Sequence, residues 1–216
     1  MRRIFTLGLA FALATSAAGE FPKDVRDRGV AATIRVTNAA DVTGGSAVFI
    51  AQSGGHAYVL TAQHVVPKAD TVEIRTVRGK SVKAEVLARS AHLDLAILRV
   101  ALADLPPPVP LAKAGARLEE VISVGWEEGA SPTARAEVVK GTVRLRRPGE
   151  ATAVLCWEAE RPPAGGRSGG PLVDQAGRLV GIASGHDGTA GYYVHIDEIH
   201  EFLRANALRW LAEDER

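Results

Sequence analysis

The sequence predicts an all-β chain: two antiparallel six-stranded β-barrels followed by a C-terminal helix. Three observations predict it. Short strand-like segments bounded by turn residues recur in two groups of six. A proline-rich stretch, 101–117, separates the groups and cannot continue a central strand. The clearest helical periodicity comes last, after residue 196, where Ile199, Leu203, Ala207 and Trp210 fall on or near one face.

Residues 1–18 read as a secretory signal peptide. Arg2 and Arg3 form its positive end, Ile4 to Ala14 its apolar core, and Ser16-Ala17-Ala18 a small-residue cleavage site. The apolar run is short for a membrane span, which needs about 20 residues. The expectation is therefore a secreted or periplasmic protein that meets a membrane only in transit. Residues 19–110 are assigned to an N-terminal barrel lobe, and 111–216 to a C-terminal barrel lobe with the final helix.

The first lobe opens with a short helix over Phe21 to Arg28. Strands are then expected near 31–37, 44–51, 57–62, 71–77, 81–88 and 94–100. Ser53-Gly54-Gly55-His56 lies between two apolar runs and signals a hairpin. Pro106, Pro107, Pro108 and Pro110 make 101–117 an extended connection. The second group is expected near 119–125, 135–146, 152–158, 171–174, 178–184 and 190–196, with Asp197 as N-cap of the last helix.

Composition narrows the function. Loss of residues 1–18 leaves 24 Lys and Arg against 25 Asp and Glu, so the charge balance gives a nucleic-acid partner no support. Arg144, Arg146 and Arg147 read as a solvated strand end. Cys156 is the single cysteine, which excludes an intrachain disulfide, and its apolar surroundings read as a buried, inert thiol. His56, His92, His186, His195 and His200 show no metal spacing, so neither a metal nor another cofactor is expected.

The chemistry is concentrated in Gly166-Arg167-Ser168-Gly169-Gly170-Pro171-Leu172. Glycines on both sides of a serine let the backbone turn sharply and leave N–H groups free to face a developing negative oxygen. Serine is a poor nucleophile unless a base is within reach and a carboxylate orients that base. His64 follows an apolar strand in Leu60-Thr61-Ala62-Gln63-His64, and Asp94 opens the run Leu95-Ala96-Ile97-Leu98. Asp70 and Asp104 compete for the carboxylate role, but neither precedes so regular an alternating run.

Taken in the order His, Asp, Ser, these segments resemble the trypsin/chymotrypsin superfamily, and its HtrA-like branch in particular, over roughly residues 30 to 205. The resemblance implies His64 as general base and then acid, Asp94 as its orienting carboxylate, and Ser168 as nucleophile. It implies the N–H groups of Gly166 and Ser168 as an oxyanion hole. Ser184 and Gly185 resemble the segment beside which a substrate backbone lies, and Gly191 and Tyr193 the back of the primary specificity pocket. Pro162 stands where trypsins carry the aspartate that selects Arg and Lys. Arg167 stands where trypsins carry the aspartate that receives a new N-terminus, and the PDZ domain typical of HtrA proteins is not expected here.

Two other readings compete. The Gly-x-Ser-x-Gly pattern also fits an α/β-hydrolase elbow, but Gly169-Gly170-Pro171 starts a helix poorly and no βαβ alternation is present. A catalytically silent two-barrel binding module differs only in lacking turnover. The expected function is a serine endopeptidase acting on protein or peptide substrates, with its oligomeric state left open.

Overall fold

A computed structural model describes residues 21–212, apart from 39–40, 67, 69, 102–104, 117, 119, 128–130 and 148. The signal-like segment 1–18 and Asp104 therefore lie outside the described residues.

Six strands close the first barrel: β1 (Thr33–Asn38), β2 (Asp41–Ser53), β3 (His56–Thr61), β4 (Thr71–Arg75), β5 (Ser81–Ser90) and β6 (Leu95–Val100). Their order is β1-β2-β3-β6-β5-β4, and β4 returns antiparallel to β1. Ser53 pairs with His56, so Gly54-Gly55 forms the two-residue hairpin turn that the sequence signals. Leu95, Ala96, Ile97 and Leu98 of β6 are all fully buried beside Phe49, Val59 and Leu60. Each large apolar side chain hidden this way contributes about 1.5–3 kcal/mol, and no ionised side chain interrupts the group.

The second lobe is a seven-stranded sheet in the order β8-β7-β11-β12-β13-β10-β9. Its strands are β7 (Val121–Gly125), β8 (Thr133–Glu137), β9 (Val139–Leu145), β10 (Val154–Ala159), β11 (Pro171–Asp174), β12 (Leu179–His186) and β13 (Gly191–His195). The sequence predicts one strand over 135–146. The structure divides it at Val138, and its halves, β8 and β9, stand at opposite ends of the sheet. Six expected strands thus become seven, and the chain itself spans from one sheet edge to the other. The bend is held from outside: Glu160 N–H donates to the Val138 carbonyl at 2.9 Å, and Arg161 donates to the Ala136 carbonyl.

Two helices pack on this frame. α1 (Lys23–Ala32) starts and ends later than the expected 21–28. It runs through Gly29, where an added Cβ would press on Val124, and Thr33 Oγ1 caps the turn by donating to the Gly29 carbonyl at 2.7 Å. α2 (Ile196–Ala205) buries Ile196, Ile199, Phe202 and Leu203. Ala207 and Trp210 lie beyond its end, and the N-cap is His195 rather than Asp197. Burial pushes the His195 pKa down, and the ring accepts the Asp197 N–H at 3.1 Å through Nδ1. Among the described residues, no helix is long and apolar enough to cross a membrane.

Candidate active site

His64 and Asp94 both come from the first barrel. His64 sits in the 3-10 turn Gln63–Val65 that follows β3, and Asp94 immediately precedes β6. Asp94 is buried in a left-handed backbone conformation, φ +56°, which aspartate tolerates better than most residues. Its carboxylate takes three bonds from the histidine side: the His64 backbone N–H at 3.0 Å, and Nδ1 at 3.0 Å from Oδ1 and 2.9 Å from Oδ2. A carboxylate only accepts, so Nδ1 carries the proton and Nε2 is left as the basic nitrogen. Ser184 Oγ donates to Asp94 Oδ2 at 2.6 Å. Burial alone would raise the Asp94 pKa, but the His64 bond and charge, the Ser184 hydroxyl and the Arg147 guanidinium together hold it below the ordinary value.

Ser168 comes from the second lobe, on the loop that leads into β11. Nearly every backbone polar group around it is committed. Ser46 Oγ donates to the Gly166 carbonyl at 2.7 Å, and Arg167 N–H to Ala164 at 3.1 Å. Gly170 N–H donates to the Arg167 carbonyl at 2.9 Å, Ser46 N–H to Ser168 at 2.7 Å, and Gly169 N–H to Ala183 at 2.7 Å. The N–H groups of Gly166 and Ser168 have no acceptor among these loop bonds, and both residues are half-buried. Gly166 and Gly169 have φ of +85° and +81°, and a Cβ on them would collide with the carbonyls of Trp126 and Ser46 respectively, so only glycine fits at either point.

The His64 ring bonds to Asp94, and among the described residues no direct hydrogen bond joins it to the Ser168 hydroxyl. The structure therefore brings His64, Asp94 and Ser184 together and holds the Ser168 carbonyl through the Ser46 N–H.

Arg167 is almost completely buried under this loop, at 1 % exposure. Its guanidinium donates to Glu127 Oε1 at 2.7 Å, Thr133 Oγ1 at 2.9 Å, the Ser123 carbonyl at 2.5 Å and Ser123 Oγ at 2.8 Å. Ser123 Oγ donates in turn to Glu137 Oε1 at 2.9 Å, which also takes Arg135 Nε at 2.6 Å. A guanidinium buried this deeply is tolerable only because nearly all its donors are used.

The expected substrate segments flank the loop. β12 pairs with β13 through His186, but its ladder with β11 ends at Ile182, leaving one side of Ser184–Gly185 unpaired by strand. Gly191 lies against Arg161 and Pro163, and the Pro162 carbonyl accepts from Arg135 at 3.2 Å. Tyr193 is fully buried, and burial first, with Glu137 adding, pushes its pKa up. Glu158 faces Lys140 at 3.8 Å and Glu160 is exposed. Asp70 is exposed and pairs with Arg89, which removes it from the histidine. Cys156 is buried with its pKa pushed up to about 12, as an inert thiol requires.

One residue at the site is not visible to sequence reasoning. Arg147, read above as part of a solvated run, donates to Ser184 Oγ at 2.6 Å and lies 3.4 Å from Asp94 Oδ2. Its partners are 37 and 53 positions away in the chain, and no local pattern announces them.

The family model for the trypsin-like peptidase domain matches residues 45–182, a span that contains His64, Asp94 and Ser168. The chain is 31% identical over 160 residues to the serine protease Do-like HtrA of Lactobacillus helveticus, covering 68% of this chain and 38% of that one. It is 32% identical over 145 residues to a probable periplasmic serine endoprotease, DegP-like, of Pseudomonas fluorescens, covering 65% and 29%. The chain thus spans well under half the length of these curated relatives. Among solved structures, the active form of the Rv3671c protease from M. tuberculosis superposes with a TM-score of 0.72 at 24% identity, covering 94% of this chain and 93% of that one. The HtrA-type protease AlgW with a tripeptide gives 0.71 at 26% identity, covering 85% and 62%. On these grounds the chain belongs to the trypsin-like peptidase family and is related to its HtrA members.

Proposed function

We propose that this chain is an exported serine endopeptidase that hydrolyses peptide bonds through an acyl-enzyme. The observation that carries the reading is the His64–Asp94 pair, with Nδ1 committed to the carboxylate and Nε2 left basic, in a chain whose serine loop gives the Gly166 and Ser168 N–H groups no acceptor among its own bonds. In the first step the Ser168 hydroxyl oxygen adds to the scissile carbonyl as its proton passes to His64 Nε2. The carbonyl electron pair moves onto oxygen, which accepts hydrogen bonds donated by the Gly166 and Ser168 N–H groups. Collapse breaks the C–N bond, and the imidazolium gives its proton to the leaving amine. Water then repeats the sequence on the ester and releases the acid. No cofactor takes part. Export rests on residues 1–18, whose pattern is that of a cleaved leader.

The residue at the cleaved position is expected to be small to medium and apolar. Pro162, Pro163 and Ala164 stand where a substrate cation would need a carboxylate, and an unpaired charge entering a dry pocket costs several kcal/mol. Two measurements test the reading. A fluorophosphonate probe should label the purified wild-type chain and leave Ser168→Ala unlabelled; equal labelling of both removes Ser168 as nucleophile. A peptide-library digest should cluster after Ala, Val or Leu. Dominant cleavage after Arg or Lys overturns the pocket assignment and makes Glu158 and Glu160 the next residues to change.

A further inference from the structure

The geometry points to Arg147 as a positioning residue that shares the Asp94 carboxylate with His64 and thereby extends activity toward acidic pH. This inference rests on the proposed serine peptidase reading. Arg147 lies just past β9, in the second lobe, and half-buried. Its guanidinium makes three contacts at once: Nη2 to Ser184 Oγ at 2.6 Å, Nη2 to Asp94 Oδ2 at 3.4 Å, and Nε to the His92 carbonyl at 3.2 Å. Asp94 Oδ2 is thus approached by His64 Nδ1, Ser184 Oγ and Arg147 together. No second carboxylate takes the arginine: among the described residues its ion pair is with Asp94 alone.

The consequence follows from charge. A carboxylate that faces only an imidazole favours the protonated ring strongly. A fixed cation on the same oxygen weakens that preference, because the imidazolium is now also repelled by the guanidinium. The acid limb of the activity profile is therefore expected to lie further to the acid side with the guanidinium in place than without it. The other groups around the pair are few. His92 pairs with Glu150 at 3.4 Å and bonds Thr152 at 3.0 Å. Cys156 stays neutral with its pKa at about 12, and Glu198, near it, accepts the Leu155 N–H at 2.9 Å. Of these, His92 is the imidazole next to the arginine's own contacts, so it serves as the control.

A cavity of about 250 Å³ opens beside the arginine, lined by Arg146, Arg147, Ser184, Gly185, His186 and Tyr192 among others. Solvent ions reach the guanidinium there, so its influence must fall at high salt.

The test is the pH dependence of kcat/KM for the full chain on a small apolar peptide substrate. Arg147→Met keeps the length and removes the charge; Arg147→Lys restores it; His92→Gln is the control. The expected result is an acid limb moved up by about 0.5 pH unit or more in Arg147→Met, which makes the loss at pH 6 roughly threefold greater than the loss at pH 9. Arg147→Lys moves the limb back toward wild type, His92→Gln leaves it in place, and about 1 M salt moves the wild-type limb toward that of Arg147→Met. An unmoved limb in a folded Arg147→Met protein overturns the inference, as does a change confined to KM, which makes the arginine a substrate contact. A limb that shifts equally in His92→Gln also overturns it. If the wild type itself has no Ser168-dependent turnover, the peptidase reading fails instead, which is a separate result.

Discussion

The two lobes are held together by different chemistry. The first barrel closes on itself and fills with apolar side chains; Phe49, Leu60, Leu95, Ile97 and Leu98 are all fully buried. The second lobe buries charge: Arg167 and Glu137 sit at 1 % and 5 % exposure beside Ser123, Thr133 and Arg135. The difference follows from what each lobe has to support. His64 and Asp94 adjoin regular strands, whose ladders already satisfy the backbone. The loop 164–170 has no ladder, and its turns are fixed bond by bond. Side-chain donors and acceptors do that work, and they bring buried charge with them.

The largest effect should come from the residues that join the lobes chemically. Ser168→Ala and His64→Ala should each lower turnover by roughly 10³–10⁶-fold with the fold intact, because a nucleophile and its base act as one unit. A near-wild-type rate from pure Ser168→Ala protein, checked by active-site titration, would break the site assignment.

A paired substitution tests the contrast itself. Phe49→Ala in the first barrel should cost about 3–5 kcal/mol of stability through the cavity it leaves. Arg167→Met should cost about 1–3 kcal/mol, because the Ser123 carbonyl and Thr133 lose their buried donor and Glu127 its cation. The two should part in the rate per folded molecule. Phe49→Ala should retain it, and Arg167→Met should lose kcat with little change in KM. Equal kinetic losses, with stability followed by urea unfolding, would mean the ionic lobe has no special hold on the loop.

Ser46→Ala should cost about 1–3 kcal/mol, since its hydroxyl both accepts the Trp126 N–H at 2.8 Å and donates to the Gly166 carbonyl. It should also weaken binding of a peptide aldehyde more than binding of substrate; parallel losses would place the effect in general folding.

The smallest effect concerns acid. The Asp94 pKa is held below its ordinary value in the fold, so its bonds stabilise the protein fully above roughly pH 4 and cease to do so as pH falls through the lowered value. Asp94→Asn should therefore be less stable than wild type at pH 7, with the gap narrowing on acidification. A gap that stays constant to pH 3 would show that Asp94 contributes through shape and not charge.

The sequence carries the barrel strands and the three motif residues because each is encoded locally. Leu95-Ala96-Ile97-Leu98 announces a strand and Asp94 stands at its start; the glycines around Ser168 announce a sharp turn. What it hides is long-range. Ala134-Arg135-Ala136-Glu137-Val138 alternates without a break, so nothing marks the bend that sends β8 and β9 to opposite edges. Gly29 reads as a helix stop, yet it serves close packing against Val124. Asp197 is the usual type of cap, but the buried ring of His195 reaches its N–H first. Arg147 looks like one of a run of surface arginines until the fold sets Asp94 beside it.

Ser46 belongs to the first barrel, yet its N–H, hydroxyl and carbonyl are tied to Ser168, Gly166 and Thr61 in turn. The loop that carries Ser168 in one lobe is therefore completed by a strand of the other. On the proposed reading, a chain with only one lobe folded is inert: the base has no nucleophile, and the loop has no clamp. On that reading, an exported chain crossing a membrane as an extended thread cannot digest its carriers or sister chains before both halves have met.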